Sequence, residues 1–99
     1  MSRKVFYAPS AKRELFEAED HYNLERPGLG SEFLDIVAEA LRQIAEYPES
    51  SPVIRGGVRR KVLRRFPYSV LYFIQGQEIQ IIAVAHQKQR PSYWWGRIG

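Results

Sequence analysis

The chain contains no cysteine, which excludes disulfide bonds, cysteine metal ligands and a thiol nucleophile. Histidine is scarce as well, since His21 and His86 are the only two and stand far apart, so a zinc site is not expected. No apolar run approaches the roughly 20 residues of a membrane-spanning helix, and no secretory signal pattern opens the chain. We therefore expect a cytoplasmic protein that uses no metal or cofactor and does not bind a membrane.

Recognisable catalytic motifs are missing too. The sequence has no glycine-rich phosphate-binding loop, and neither Ser69 nor Ser92 lies in a known nucleophile motif. It has no internal repeats and no low-complexity segments. A chain of 99 residues with 44% hydrophobic and 26% charged residues fits one soluble globular domain, which we place at residues 1–99.

Acidic residues are almost absent from the second half of the chain. Residues 51–99 contain nine Lys or Arg but a single acid, Glu78, whereas residues 1–50 contain six Lys or Arg and ten acids. The overall net charge is +4. This asymmetry favours an acidic partner, either a nucleic acid or an acidic protein segment.

The hydrophobic pattern predicts an α+β fold in the order β-α-α-β-β-β. Apolar residues recur every three or four positions in two segments, which indicates two amphipathic helices, and β-branched and aromatic residues dominate the strands. The predicted bounds are about 3–8 for the first strand, 11–25 and 30–46 for the helices, and 58–66, 68–75 and 78–86 for the last three strands. The residues between the second helix and the second strand, 49–57, are expected to form a loop.

The two predicted helices need a sheet to cover, so they should form a hairpin on one face of a mainly antiparallel sheet. The run IIAVA in the last strand is apolar at every position, as in a central strand with both faces buried. The short first strand is expected at an edge, beside either the last or the first strand of the meander. The tail, residues 87–99, holds both tryptophans and is expected to pack back onto the body; an exposed recognition surface is the alternative.

Strand alternation divides the basic residues of the second strand into two rows. Arg59, Lys61 and Arg65 fall on one face. Arg60 and Arg64 fall on the other face. Either row can be the exposed one.

A basic cluster is expected at one end of the sheet, where Arg64 or Arg65 can meet His86, Arg90 and Tyr93. Metal-free RNA cleavage would use His86 as acid or base with Tyr93 as its weaker partner, while the arginines stabilise the phosphorane. Pure binding would use the same cations to hold a phosphate backbone or a carboxylate-rich protein surface. In a third interpretation, His86 ends a strand with local hydrogen bonds and the arginines form a solvated face.

The segment RRFPYSVLYFIQGQEIQIIAVAHQKQRPSYW resembles the C-terminal half of the RelE/ParE superfamily of toxins from bacterial type II toxin–antitoxin systems. The features that match are the FPY-x-V-x-Y strand, the apolar strand ending in Ala-x-x-His, the following Arg-Pro-x-Tyr-Trp, and the order of elements along the whole chain. RelE-like members of the superfamily cleave messenger RNA in the ribosome, whereas ParE-like members inhibit DNA gyrase. The long helical hairpin and the ending His86-x-x-x-Arg90 point to the ParE-like, plasmid-stabilisation branch.

The resemblance implies a toxin that inhibits DNA gyrase by binding and that forms a hetero-oligomer with an acidic, ParD-like antitoxin. One alternative is a ribosome-dependent endoribonuclease, with a catalytic set of His86, Tyr93, Arg64, Arg65 and Arg90. A second alternative is a non-toxic module that only sequesters antitoxin. The predicted target contacts are Arg59, Lys61, Arg65, His86, Arg90 and Trp94. The predicted antitoxin contacts join a groove on the hairpin to the other basic row: Leu15, Tyr22, Leu34, Arg60 and Arg64.

Overall fold

The structure is a computed structural model that describes residues 3–98, so both ends of the predicted domain, and the last residue of the predicted tail, lie outside the described residues. The elements along the chain are β1 (Lys4–Tyr7), α1 (Pro9–Glu25), α2 (Leu29–Glu46), β2 (Val53–Arg55), β3 (Val58–Val62), β4 (Tyr68–Gln75), β5 (Glu78–His86) and a 3₁₀ turn at Trp95–Arg97.

Five strands form one sheet in the order β1-β5-β4-β3-β2. Strands β2 to β5 pair antiparallel in sequence order, whereas β1 runs parallel to β5 with Lys4 opposite Glu78 and Tyr7 opposite Ile81. The α+β class, the antiparallel meander and the edge position of the first strand beside the last one are therefore confirmed.

The helical hairpin covers one face of the sheet. Helix α1 begins at Pro9, two residues before the predicted start. Proline fits the first helical position because an N–H there would have no acceptor within the helix. The predicted stripe of α1 is buried against aliphatic and aromatic residues of α2, β4 and β5. Each fully buried apolar side chain in such a layer is worth about 1.5–3 kcal/mol. No helix within residues 3–98 is long and apolar enough to cross a membrane.

Strand β5 is buried on both faces, as its uninterrupted apolar run predicts. Ile81 and Val84 belong to the core beneath the helices, whereas Ile82 and Ala83 belong to a second apolar cluster on the opposite face. A register shift opposite Leu71 and Tyr72 makes Ile82 an extra residue in the ladder, so two consecutive side chains turn to the same face. The bulge therefore builds an apolar floor on the face that the helices leave open.

Two further differences from the predicted elements concern β2 and β3. Strand β2 lies within the segment predicted as loop, because three residues after Pro52 are too few to show alternation; it joins β3 through Gly56 and Gly57, both with positive φ. Strand β3 ends at Val62 instead of continuing to residue 66. The chain turns there towards β4, with Arg65 in the left-handed region at a φ of 71°.

The two helices pack tightly against each other at Gly30. An added Cβ would lie 2.5 Å from the carbonyl oxygen of Glu19 and 2.6 Å from the Asn23 amide nitrogen, and the Gly30 N–H donates to Asn23 Oδ1 at 2.8 Å.

Gly30→Ala is therefore expected to destabilise the protein by up to about 2 kcal/mol. Overpacking costs about 1–3 kcal/mol, whereas the gain in helix propensity is about 1 kcal/mol. We expect the cost to dominate because the backbone carbonyl of Glu19 cannot move aside as the end of a flexible side chain can. Urea denaturation measures the change in unfolding free energy. Gly96→Ala is the control, because a Cβ at Gly96 meets nothing within 4 Å. Equal stability of the two variants would contradict this account of the helix crossing.

Candidate functional site

A concave pocket of about 580 Å³ lies on the face of the sheet opposite the helices. Its floor includes Leu71 and Ala85, and one wall is formed by the segment 90–94. Four basic side chains line it, and no acidic residue does within the part of the chain that the structure describes: Arg55, Arg60, His86 and Arg90. The pocket thus collects positive charge on a single concave surface.

Arg60 and Arg90 are the cations in this pocket that remain open to a ligand. Both are exposed, and neither forms an ion pair with any residue in the range 3–98. Ile54 and Val62, both exposed, lie on the same rim. Unpaired guanidinium groups beside apolar side chains suit a ligand that is both acidic and partly apolar.

His86 is held by local hydrogen bonds at the end of β5. Its Nδ1 accepts from the Lys88 backbone N–H at 3.0 Å, and its own backbone N–H donates to Gln89 Oε1 at 2.8 Å. The ring meets Tyr68 edge-on with centroids 5.0 Å apart. The occupied Nδ1 leaves only Nε2 for an external partner. This geometry matches the interpretation of His86 as a strand-end residue with local bonds.

The Tyr93 hydroxyl is hydrogen-bonded to helix α1. The hydroxyl donates to Glu14 Oε2 at 2.8 Å. The pKa of Tyr93 is raised above its ordinary value, mainly by burial and to a smaller extent by this hydrogen bond. The phenol is therefore held protonated with its proton committed to Glu14, which makes it a poor partner for acid–base work with His86.

The unfolding free energy is expected to fall as the pH rises above about 10. Burial raises the pKa of Tyr7 to about 12, and the pKa of Tyr93 is raised as well. Since the native state keeps these protons while the unfolded chain releases them, the stabilisation is complete below the unfolded pKa and is lost as the pH rises through the folded one. Urea denaturation at about pH 8 and about pH 11 measures the loss. Tyr93→Phe should lose less stability than the wild type, and an identical loss in both would contradict the assignment.

Arg64 and Arg65 do not join the pocket, so their predicted convergence with His86, Arg90 and Tyr93 does not occur. Because β3 ends at Val62, strand alternation no longer governs their direction. Arg64 Nη2 lies 3.0 Å from Glu39 Oε2, and Arg65 Nη2 lies 3.0 Å from Glu32 Oε1, both on α2. These hydrogen bonds lower the pKa of both carboxyl groups. The two pairs are exposed, and such pairs contribute little to stability.

The remaining basic residues of β3 lie on the two faces of the sheet as strand alternation predicts. Arg60 lies on the pocket face, whereas Arg59 Nη1 donates to the backbone carbonyls of Glu49 at 3.1 Å and Ser51 at 2.7 Å. Lys61 shares the face of Arg59 and lies near enough to Glu39 to lower the pKa of that carboxyl. Of the two rows, the one with Arg60 therefore supplies the open cation.

Of the predicted contact residues, three are buried and Leu34 is half-buried. Leu15 and Tyr22 belong to the core beneath the hairpin, because the apolar stripe of α1 is used against the sheet, and Leu34 packs partly against the same core. Trp94 is only 3% exposed, within the cluster on the opposite face. Leu15 and Tyr22 thus offer no groove to an antitoxin, and the tail packs on the body through Trp94, as predicted.

Sequence reasoning missed two arginines, one that lines the pocket and one that contacts the lining residue Tyr93. Arg55 lies over the ring of Trp95, with Cζ 3.7 Å from the centroid, and Arg97 forms a bidentate pair with Glu14 at 2.9 and 3.0 Å. The only available signal for Arg55 is its place beside a Gly-Gly turn. No local pattern indicates the Glu14–Arg97 pair, because the two residues are 83 positions apart in the sequence.

Comparison with known proteins adds a family and two similar folds. The chain matches the family model described as the ParE toxin of type II toxin-antitoxin system, parDE, over residues 5–91. The chromosomal ParDE system from P. aeruginosa is similar with a TM-score of 0.76 at 22% identity, covering 86% of this chain and 96% of that one. The RelBE2 toxin–antitoxin complex from Mycobacterium tuberculosis gives a TM-score of 0.60 at 22% identity, covering 87% and 99%. No curated protein sequence matches.

Proposed function

Because the chain belongs to the ParE toxin family of type II toxin–antitoxin systems, we propose that this toxin inhibits DNA gyrase in the cytoplasm by binding it through the concave pocket. The observation that carries the proposal is the pair of open cations, Arg60 and Arg90, beside the exposed apolar Ile54 and Val62. Such a surface binds a macromolecule by charge and apolar contact and needs no bond-breaking step.

Cleavage of messenger RNA is the second candidate, favoured by the presence of His86 in the same pocket as Arg60 and Arg90. Proton transfer in RNA cleavage needs one group to take a proton and another to give one. The described lining offers one imidazole and no carboxylate, and the Tyr93 hydroxyl is already hydrogen-bonded to Glu14. Binding is therefore the function that the geometry supports better.

An acidic antitoxin is the proposed regulator of this toxin. Both similar structures are those of toxin–antitoxin systems. The pocket supports the same partner, since free guanidinium groups attract carboxylates and the apolar rim accepts the side chains between them. Occupation of the pocket by such a segment would exclude the target.

One protein preparation tested in two assays separates the candidates. The toxin is titrated into a gyrase supercoiling assay and into a translating extract with a labelled messenger RNA. The expected result is blocked supercoiling or trapped cleaved DNA, with the messenger intact. Messenger cleavage with normal supercoiling would establish the nuclease instead, and inactivity in both assays would leave a module that only sequesters antitoxin.

His86→Ala distinguishes contact from catalysis at the same pocket. If the imidazole is only one contact among several, the variant should keep gyrase inhibition to within about tenfold of the wild type. Loss of a proton-transfer group typically costs about 10²–10⁴ in rate. A loss of that size in messenger cleavage would overturn the binding proposal.

A further inference from the structure

The segment 91–98, called the strap below, crosses the sheet on the face opposite the helices. Its centre is Trp94, buried among Val58, Leu71 and Ile82. Beyond it, Trp95 packs on the β2–β3 hairpin, where the position of a Cβ on Gly56 lies 2.5 Å from the indole ring. A side chain at Gly56 would therefore push the strap away.

The other anchor of the strap is Glu14, which lies on α1. Its Oε1 accepts from Arg97 Nη1 at 2.9 Å, and its Oε2 accepts from Arg97 Nη2 at 3.0 Å and from the Tyr93 hydroxyl at 2.8 Å. The side chains of Glu14 and Arg97 are only 14% and 21% exposed. In every other ion pair among residues 3–98, both side chains are 38% exposed or more. This pair is therefore the one most shielded from water.

Glu14 is itself fixed to the backbone of the sheet. Strand β1 stops pairing with β5 at Ile81, whose carbonyl accepts from the Ala8 N–H at 2.8 Å. Just beyond, Glu14 Oε1 accepts from the Val84 N–H at 3.0 Å, and Arg97 Nη1 donates to the Ile82 carbonyl at 3.0 Å. Beyond the end of β1, Glu14 and Arg97 therefore supply the hydrogen-bond partners for the backbone of β5. The pair connects helix α1, the sheet and the strap at one point.

We propose that Glu14 is a positioning residue for the pocket: by holding Tyr93 and Arg97 it seats the strap and thereby fixes the wall that begins at Arg90. The biological meaning of this role rests on the proposed function of the pocket. Without the carboxylate, the largely buried guanidinium of Arg97 loses its counter-ion and three hydrogen bonds to Glu14 are weakened. Release of the strap then lets Arg90 and the wall move away from Arg60.

The test compares Glu14→Gln with Glu17→Gln, whose parent side chain is 69% exposed and pairs only with Arg13. Two readouts are independent of gyrase: hydrogen exchange of the strap amides, and the Kd for a fluorescent hexaglutamate peptide. In Glu14→Gln, strap exchange should rise by about tenfold or more and hexaglutamate affinity should fall by a similar factor, while exchange in β4 and α2 stays unchanged. Glu17→Gln should match the wild type in both.

A second variant guards against a general folding defect. Arg97→Gln keeps Glu14 and its bonds to Tyr93 and Val84, and it should weaken hexaglutamate binding as Glu14→Gln does. The double variant should be no worse than either single one, because the pair acts as a unit. The proposal would be overturned if Glu14→Gln left strap exchange or hexaglutamate affinity unchanged. It would also be overturned if the wild type did not bind hexaglutamate detectably, or if the effects of the two substitutions were additive. A wild type that leaves gyrase unaffected would instead count against the proposed function alone.

Discussion

Replacing Arg60 and Arg90 together by glutamate is expected to weaken gyrase inhibition by about a hundredfold or more. Interface arginines that anchor a complex often contribute about 2 kcal/mol or more each, and tenfold in affinity corresponds to about 1.4 kcal/mol. Both guanidinium groups lie in one pocket without an internal partner among residues 3–98, so reversal also sets like charges against an acidic target. The concentration for half-inhibition of supercoiling, and growth after induction, measure the effect.

The control for this double variant keeps the same change in net charge at another surface. Lys12→Glu with Arg42→Glu alters exposed residues of α1 and α2, outside the pocket lining. We expect this control to inhibit gyrase within a few-fold of the wild type, because distant exposed charges are largely screened at physiological salt. Equal inactivation by both double variants would show that net charge, and not the pocket, governs inhibition.

Phe33→Ala is expected to destabilise the protein by about 3–5 kcal/mol. Phe33 is 0% exposed, and its ring centroid lies 5.2 Å from those of Phe66 and Tyr68 and 5.3 Å from that of Tyr22. The substitution removes the central ring of this aromatic cluster and leaves a cavity between α2 and the start of β4. Since small domains have a total stability of about 5–15 kcal/mol, much of the variant is expected to be unfolded and degraded in cells.

Urea denaturation of purified Phe33→Ala measures this loss, with Phe16→Ala as the control. Phe16 lies on α1 and is 47% exposed, so its truncation should cost about 1 kcal/mol or less. A loss below about 1 kcal/mol for Phe33→Ala would contradict the role of the cluster as the centre of the core.

Some of this structure follows from local pattern alone. The helices and β5 are long, and their apolar residues recur with a clear period, so burial dictates their type and their place. Alternation also separates Arg59 from Arg60 correctly. The same rule fails at Arg64 and Arg65, because it assumes that the strand continues past Val62, whereas Arg65 adopts a left-handed turn.

The pocket is harder to predict, because its parts come from distant regions of the chain. Ile54 lies in β2, a strand too short to show alternation, and the bulge at Ile82 depends on the pairing of β4 with β5. The bonds of Glu14 to Tyr93 and Arg97 join the first helix to the tail, and neither end carries a local signal. Sequence can therefore indicate that the second half is basic, but only the tertiary structure shows which cations stay free.

The pairing of β1 with β5 has a consequence for how the toxin is made. Strand β1 leaves the ribosome well before β5, the strand with which it pairs, and Glu14 must wait for Arg97, 83 positions later. Contacts of such long sequence separation slow folding, since the intervening chain must be ordered before they form. A growing polypeptide therefore cannot complete this fold before β5 and Arg97 have been synthesised, and translation products that stop before β5 are expected to be harmless to the cell that makes them.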